Sequence, residues 1–435
     1  MSRTISRAIL GALVALAWAA GSPARANPLL VFDSASGAVI QAQDAGAPWY
    51  PASLTKLMTA YLTFHAIRDG KLALDTKITV SANARAQPPS KIGLPVGAQI
   101  TVGKALEALI VRSANDIAVV LAEAVGGSEE RFIKLMNAWS RQLGMGGTYF
   151  ANPHGLPDPR QVTTARDMGL LATAIIKQFP EHAGLFAMQD VLIGKRKFRA
   201  RNSLLRDWAE ADGMKTGFIC ASGYNLVASA TREGRRLVAV VLGATSGAAR
   251  SQAAKQSLVD GFSNGVAAGR SVTEYTNGGF FQRTPEDMKP VVCKKSAPVR
   301  VARPGWVRGW GADFGRFASA EGADGVLTDT MLALRNVIYA GRGQVVKDYR
   351  DGKFAAVMAS LDADQARQVC DHLKAKNIAC QVDEPRYFLP PKAADADDEE
   401  TDDEAEPAKA KPKATKPKPA AKKPAAARPK KSAKK

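Results

Sequence analysis

The chain has 435 residues, 46% of them apolar, with 60 Lys and Arg against 41 Asp and Glu for a net charge of +19. That length holds two or three domains with enough apolar material for sizeable cores, so uniform disorder is excluded. Four cysteines are too few for a disulfide scaffold, and Cys220, Cys293, Cys370 and Cys380 show no C-x-x-C spacing, so neither a metal site nor any other cofactor is expected.

Residues 1–26 read as a cleavable secretory signal. Arg3 and Arg7 form a basic start, an apolar stretch runs from Ile9 to Ala20, and Ala24-Arg25-Ala26 supplies small residues at the cleavage position. The stretch is well short of the about 20 residues that span a bilayer, which disfavours a membrane anchor. The mature chain is therefore expected to begin at Asn27 and to work in the periplasm or cell envelope.

Residues 27–268 have the texture of a globular α/β domain. Leu29–Asp33 and Ala38–Gln43 read as a hairpin, and a helix is predicted from Ser53, with Leu54, Leu57, Met58, Tyr61 and Leu62 on one face. Ser53 and Lys56 fall one turn apart at its start, an S-x-x-K pair whose side chains can meet. A serine hydroxyl is a weak nucleophile and needs a base. A lysine serves as that base only when burial or a nearby cation lowers its pKa. The pair alone is weak, because a helix cap followed by a solvated lysine has the same pattern.

Two Ser-Ala-Asn triplets follow. Ser81-Ala82-Asn83 lies between a strand-like Lys77–Val80 and a proline-bearing stretch, reads as loop and receives no catalytic role. Ser113-Ala114-Asn115 sits between the helical patterns Val102–Arg112 and Asp116–Ala124, which places a hydroxyl and a carboxamide at an interhelical corner. Lys215-Thr216-Gly217 comes later, beside two β-rich runs, Tyr224–Thr231 and Arg235–Leu242, and is predicted on an adjoining antiparallel strand. A strand edge carrying Lys and Thr, then a Gly that admits a ligand to the backbone, suits a peptide carboxylate laid alongside it. Cys220, just behind, reads as a small buried residue.

Residues 269–305 are rich in Gly, Pro and charge without apolar periodicity and read as a linker. From residue 306 to 386 the expected order is strand Trp310–Phe317, helix Ala323–Asn336, strands Gln344–Tyr349 and Phe354–Ser360, helix Ala363–Lys376 and strand Ile378–Val382, a ferredoxin-like arrangement. Cys370 and Cys380 could pair in an oxidising compartment. Residues 387–435 hold nine acids between Asp395 and Glu406, then eleven Lys and one Arg from Lys409 to the end, and are expected to be disordered. Of the +19, Arg3, Arg7 and Arg25 carry +3 and residues 391–435 carry +4, leaving +12 on residues 27–390. The basicity is thus not mainly a tail effect, and no nucleic-acid partner is expected.

S-x-x-K, S-x-N and K-T-G in this order resemble the motif set of penicillin-binding proteins and serine β-lactamases. With PASLTKLMTAYL, SANDIAVVLAEAVGG, FANPHGLPDPRQVTTARDMGLLA and DGMKTGF, the match is closest to low-molecular-mass D-alanyl-D-alanine carboxypeptidases over about residues 28–265. The resemblance implies an antiparallel sheet plus a helical cluster, with peptidoglycan stem peptides as substrate and β-lactam antibiotics as covalent inhibitors. It implies Ser53 as nucleophile, Lys56 as its base and Ser113 as proton relay. Asn115, Lys215, Thr216, Gly217 and Arg250 would bind substrate, and the backbone N–H groups of Ser53 and Phe218 would form the oxyanion hole. His154, in the Asn152–Gly155 signature, is assigned a structural role. Asn152–Thr164 contains no Glu, so the water-activating glutamate of class A β-lactamases has no counterpart there. An endopeptidase or β-lactamase on the same fold, or a non-catalytic wall-binding protein, are the alternatives. Residues 306–386 resemble a SPOR domain, a module that binds denuded glycan strands and would enrich the protein at the division septum. The basic tail would then meet anionic membrane or wall polymer.

Overall fold

The computed structural model describes residues 27–385 apart from 265–269, 278–283, 294–298, 303–306, 336 and 349. The expected signal segment 1–26 and the tail 387–435 lie outside the described residues. The first sheet comprises β1 (Leu29–Asp33), β2 (Val39–Gln43), β7 (Ala211–Ile219), β8 (Gly223–Arg232) and β9 (Arg235–Ala244), antiparallel throughout in the order β2-β1-β9-β8-β7. Strand alternation divides its side chains between two cores. Val31, Leu226, Ala228, Leu237 and Ala239 pack with Ala254 and Leu258 of helix α6 (Gly247–Ser263) on one face. Leu30, Phe32, Val227, Val238, Val240 and Leu242 face the helical cluster on the other.

That cluster is built from α1 (Lys56–Arg68), α2 (Val102–Glu107), α3 (Asn115–Gly126), α4 (Glu129–Gln142) and α5 (Ala165–Gln178). The chain enters α1 through a 3-10 turn, Ala52–Thr55, so the nucleophile candidate sits on a tighter turn than the α-helix expected from Ser53. The expected single apolar face is also corrected. Leu54, Leu57, Met58, Tyr61 and Leu62 are buried, but so are Thr59, Ala60, Thr63 and Phe64, because α1 runs through the middle of the core. Two short antiparallel pairs, β3 (Lys77–Thr79) with β4 (Gln99–Thr101) and β5 (Asp190–Ile193) with β6 (Arg196–Arg199), complete this part.

Residues 269–305, expected as a linker, are anchored wherever they are described. Ser271 bridges Ala38, Val272 is buried, and Asn277 bonds Thr164 and Asp167. The Met288 N–H bonds the Ala221 carbonyl, and Cys293 forms a disulfide with Cys220, Cα to Cα 5.8 Å. Cys220 is therefore not the unpaired small residue expected. Its partner lies 73 positions away in a segment held by single side chains, which leaves no periodic signature.

A second sheet combines β10 (Val301–Ala302), β11 (Trp310–Phe317), β12 (Arg342–Lys347), β13 (Phe354–Leu361) and β14 (Gln381–Asp383) in the order β10-β12-β13-β11-β14. Without the parallel edge strand β10, which the sequence reading had placed in the linker, this is a ferredoxin-like arrangement. Helices α7 (Ala320–Ala333) and α8 (Ala363–Lys374) pack their Leu327, Met331, Val369 and Leu373 onto Ala312, Phe314, Ala356 and Met358. Ser319 caps α7 by accepting from the Gly322 N–H, which starts that helix three residues earlier than its apolar pattern. Asp362 and Gln365 form a capping box on α8, and Cys370 and Cys380 are bonded, Cα to Cα 5.1 Å.

The Cys220–Cys293 bridge closes the longer loop, so Cys293→Ser should cost about 2–5 kcal/mol. Thermal unfolding of the oxidised wild type and the variant reads this; equal midpoints would mean that the other anchors alone hold the segment.

Candidate active site

Three local devices bring the sequence motifs together. The first is the turn before α1, where Ala52 takes φ +47° and Ser53 is left partly exposed on a bend whose following thirteen residues are buried. The second is the corner between α2 and α3. A π-helical turn, Ala108–Arg112, ends at Ser113, whose φ of +62° turns the chain sharply before Asn115 opens α3. Non-glycine residues tolerate such conformations only where the surroundings enforce them, and they concentrate at functional sites. The third is the sheet edge, where Lys215, Thr216 and Gly217 lie on β7 opposite Val227, Leu226 and Asn225.

The edge strand runs against the turn. A Cβ at Gly217 would lie 2.9 Å from the Pro51 carbonyl oxygen and 3.1 Å from the Ser53 nitrogen, so only glycine lets the two backbones approach this closely. Asn225 of β8 fixes the contact from behind, donating to the Tyr50 carbonyl at 2.9 Å while accepting from the Gly243 N–H. Phe218 follows with its ring on Tyr224 and half-exposed.

The Lys56 ammonium sits at the centre, fully buried. It reaches Ser53 Oγ at 3.1 Å, Asn115 Oδ1 at 2.8 Å and the His154 carbonyl at 2.6 Å. Asn115 is held in that orientation by donating Nδ2 to the Pro88 carbonyl. Lys215, equally buried, donates to Ser113 Oγ at 3.0 Å and to the Thr216 carbonyl. Burial pulls Lys56 well below the ordinary lysine pKa and the Lys215 charge pulls it further, against a smaller opposing pull from Asp116. Lys215 is lowered to about 7, by burial first and then by Arg250 and Arg201. Arg250, on the first turn of α6, is itself buried beside Tyr224, 6.0 Å from the ring.

The chemistry follows from donor counting. The carboxamide and carbonyl oxygens can only accept, so in neutral Lys56 its two N–H groups go to Asn115 and His154. The remaining lone pair faces Ser53 Oγ. A deprotonated lysine here is thus aimed as a base at one hydroxyl.

Ser53, Lys56, Ser113, Asn115, Lys215 and Gly217 lie together in the structure. Arg250 joins through its charge on Lys215. Thr216 is buried next to Lys215, and its carbonyl, not its hydroxyl, is the group Lys215 contacts. Ser81-Ala82-Asn83 is corrected from loop to a short helix, Ala82–Ala86, capped by Ser81 and tied to Glu123 and Glu129. Its own hydroxyl caps the turn that periodicity could not detect over five residues.

The contribution that sequence reasoning missed is the carbonyl of His154. The His154 ring is buried and its Nδ1 accepts from the Leu156 N–H. The Asn152–Gly155 loop delivers that carbonyl because Gly155, at φ +86°, packs onto the Ala52 carbonyl, where a Cβ would sit 1.8 Å away. Asp116 was also missed. It accepts from the N–H groups of Ile92 and Gly93, fixing the segment whose Ser90 carbonyl receives the Asn115 N–H.

An antiparallel sheet packed on a helical cluster, with a serine and two buried lysines where they meet, is the penicillin-binding and serine β-lactamase type of fold. The family model described as D-alanyl-D-alanine carboxypeptidase matches residues 18–246. The chain therefore belongs to the D-alanyl-D-alanine carboxypeptidase family of low-molecular-mass penicillin-binding proteins. It is 39% identical over 246 residues to D-alanyl-D-alanine carboxypeptidase DacC of Escherichia coli, which covers 54% of this chain and 61% of that protein. To DacA of Haemophilus influenzae it is 36% identical over 259 residues, covering 57% and 66% respectively. The chain thus spans less than two thirds of these curated relatives. The crystal structure of penicillin binding protein 5 from Haemophilus influenzae superposes with a TM-score of 0.53 at 37% identity, over 55% of this chain and 71% of that one.

Gly155→Ala should push the Asn152–Gly155 loop off the Ala52 carbonyl and displace the His154 acceptor. A loss of about 2–4 kcal/mol of stability is expected, because overpacking and a disfavoured φ act together. Thermal unfolding together with a crystal structure of the variant checks it; an unchanged midpoint would show that the loop has room.

Proposed function

We propose that the protein is a serine-type D-alanyl-D-alanine carboxypeptidase acting on peptidoglycan stem peptides and acylated by β-lactams. The observation that carries this is the buried Lys56 Nζ within 3.1 Å of Ser53 Oγ, its other two partners being acceptor-only oxygens. Ser53 Oγ attacks the penultimate D-Ala carbonyl as its proton passes to Lys56. The backbone N–H groups of Ser53 and Phe218 hold the oxyanion, consistent with the close approach of β7 to the turn. Collapse breaks the peptide bond, and the departing D-Ala nitrogen takes a proton through Ser113. Water then cleaves the acyl-serine. Lys215, Thr216 and Arg250 bind the terminal carboxylate, and Asn115 aligns the peptide.

Hydrolysis of the acyl-enzyme is slow with penicillin in this reading, which separates it from a β-lactamase. The Asn152–Thr164 stretch has no Glu, and its one carboxylate, Asp158, is bound to Arg160. Export to the cell envelope accords with the N-terminal pattern. Among the described residues no helix is long and apolar enough to cross a membrane. The second module is proposed to hold denuded glycan strands at the septum, on its ferredoxin-like topology, and the tail to meet anionic membrane or wall polymer.

Fluorescent penicillin should label the wild type covalently, and D-Ala should be released from a pentapeptide. Ser53→Ala should abolish both, and Lys56→Ala should slow acylation by about 10^2–10^4-fold. Labelling that survives Ser53→Ala would overturn the nucleophile.

The pH dependence has a definite sign. Lys56 must be neutral to act, so acylation rises with pH as Lys56 loses its proton. Lys215 must be charged to hold a carboxylate, so acylation falls as pH passes about 7. Lys215→Arg keeps its charge and should move the falling limb several units upward. A falling limb that stays in place in the second-order acylation rate would assign it to another group.

A further inference from the structure

The connection between α7 and β12 in the second module rests on the loop that delivers the His154 carbonyl. Arg160 is the centre of that contact. It is fully buried, with its Nε and Nη2 on the Asp158 carboxylate at 3.0 and 2.8 Å. Its Nη1 donates to the carbonyls of Ile338 and Ala340 at 3.3 and 3.1 Å, and Nη2 to that of Gly341 at 3.0 Å. Around it, the Tyr149 hydroxyl donates to the Ile338 carbonyl, and the Tyr149 and Tyr339 rings stack at 6.1 Å. Arg342 reaches Glu129 at 3.5 Å and Asn83 at 3.4 Å.

A buried guanidinium is stable only when its N–H groups and its counter-ion are satisfied together. Here Asp158 comes from the first domain and three backbone carbonyls from the second module. Neither half completes the site alone. The loop so gripped is also tied to the nucleophile turn. Gln161, next to Arg160, donates to Thr55 Oγ1 at 2.9 Å and accepts from the N–H groups of Ala151 and Asn152. Two residues on from Asn152, the His154 carbonyl accepts from Lys56.

We propose that the second module, docked through Arg160, is a positioning element of the acylation site, holding the 149–162 loop so that the His154 carbonyl keeps Lys56 aimed at Ser53. This rests on the serine-enzyme reading above and adds to it a role for residues 338–342. Undocking would loosen the acceptor while leaving the carboxylate-binding groups of β7 and α6 in place. The rate of bond formation should then fall while reversible binding does not change.

The test uses the full chain, with fluorescent penicillin as probe. Arg160→Ala removes the contact from one side. The double variant Tyr339→Ala, Arg342→Ala strips the stacked ring and the Glu129 ion pair that flank the guanidinium, weakening docking from the module side while leaving the first domain untouched, so it carries the question if Arg160→Ala does not fold. Amide hydrogen exchange of residues 338–342 reports docking, and stopped-flow acylation separates the binding constant from the acylation rate constant. Expected are faster exchange and an acylation rate constant lower by about 10-fold to 100-fold at an unchanged binding constant. Faster exchange with unchanged acylation would make the module a passenger and overturn the proposal. Unchanged exchange in both Arg160→Ala and the double variant, or an effect on binding alone, would overturn it as well. Failure of the wild type to label would instead strike at the serine assignment.

Discussion

Everything in the site depends on keeping one amine dry. Lys56 is the first residue of a helix that passes through the core, and its ammonium is desolvated on every side. A lysine in water is no base at neutral pH. Burial disfavours its charged form, and a second buried cation, Lys215, disfavours it further. In the proposed mechanism the dense packing of α1 is therefore part of the chemistry. Phe64, Phe132, Phe150 and Phe179 are fully buried in the core through which α1 runs.

The arrangement has a cost that the rest of the fold sustains. Two lysines lie in apolar surroundings within each other's field, and Ala52 and Ser113 adopt backbone conformations that non-glycine residues avoid. Neither is stable by itself. They persist because both faces of the sheet are covered and the Asn225, Asn115 and Asp116 side chains pin the turns through backbone partners. Sites of this kind are where stability is traded for reactivity.

The side-chain half of the site was legible in the sequence and the backbone half was not. Ser53, Lys56, Ser113, Asn115 and Lys215 could be found because their spacing is a one-dimensional signal. The His154 carbonyl could not, because every residue has a carbonyl and only a fold says which one points at Lys56. The hairpin Leu29–Gln43, the sheet strands and the order of elements in the second module follow alternation and periodicity. What escaped was whatever depends on single anchors: the helix Ala82–Ala86, stopped after five residues, the Cys220–Cys293 bridge and the pinned stretch 269–305. A segment held by scattered anchors such as Asn277, Val272 and one disulfide has no period to detect.

The same limit explains how a second module can be read as separate in sequence and yet share a site in structure. Each half has its own apolar core, Leu30 and Phe32 in one, Phe314 and Met358 in the other, and core patterning is what marks a domain in a sequence. The joint between them is polar. At its centre are a guanidinium, a carboxylate and three carbonyls, and the carbonyls are not written in the residue alphabet. Arg160 in isolation reads as an ordinary surface arginine of a proline-rich loop. Its burial becomes comprehensible only once acceptors some 180 positions away are brought to it. Because those acceptors are main-chain atoms, the joint constrains the path of the chain more than its composition.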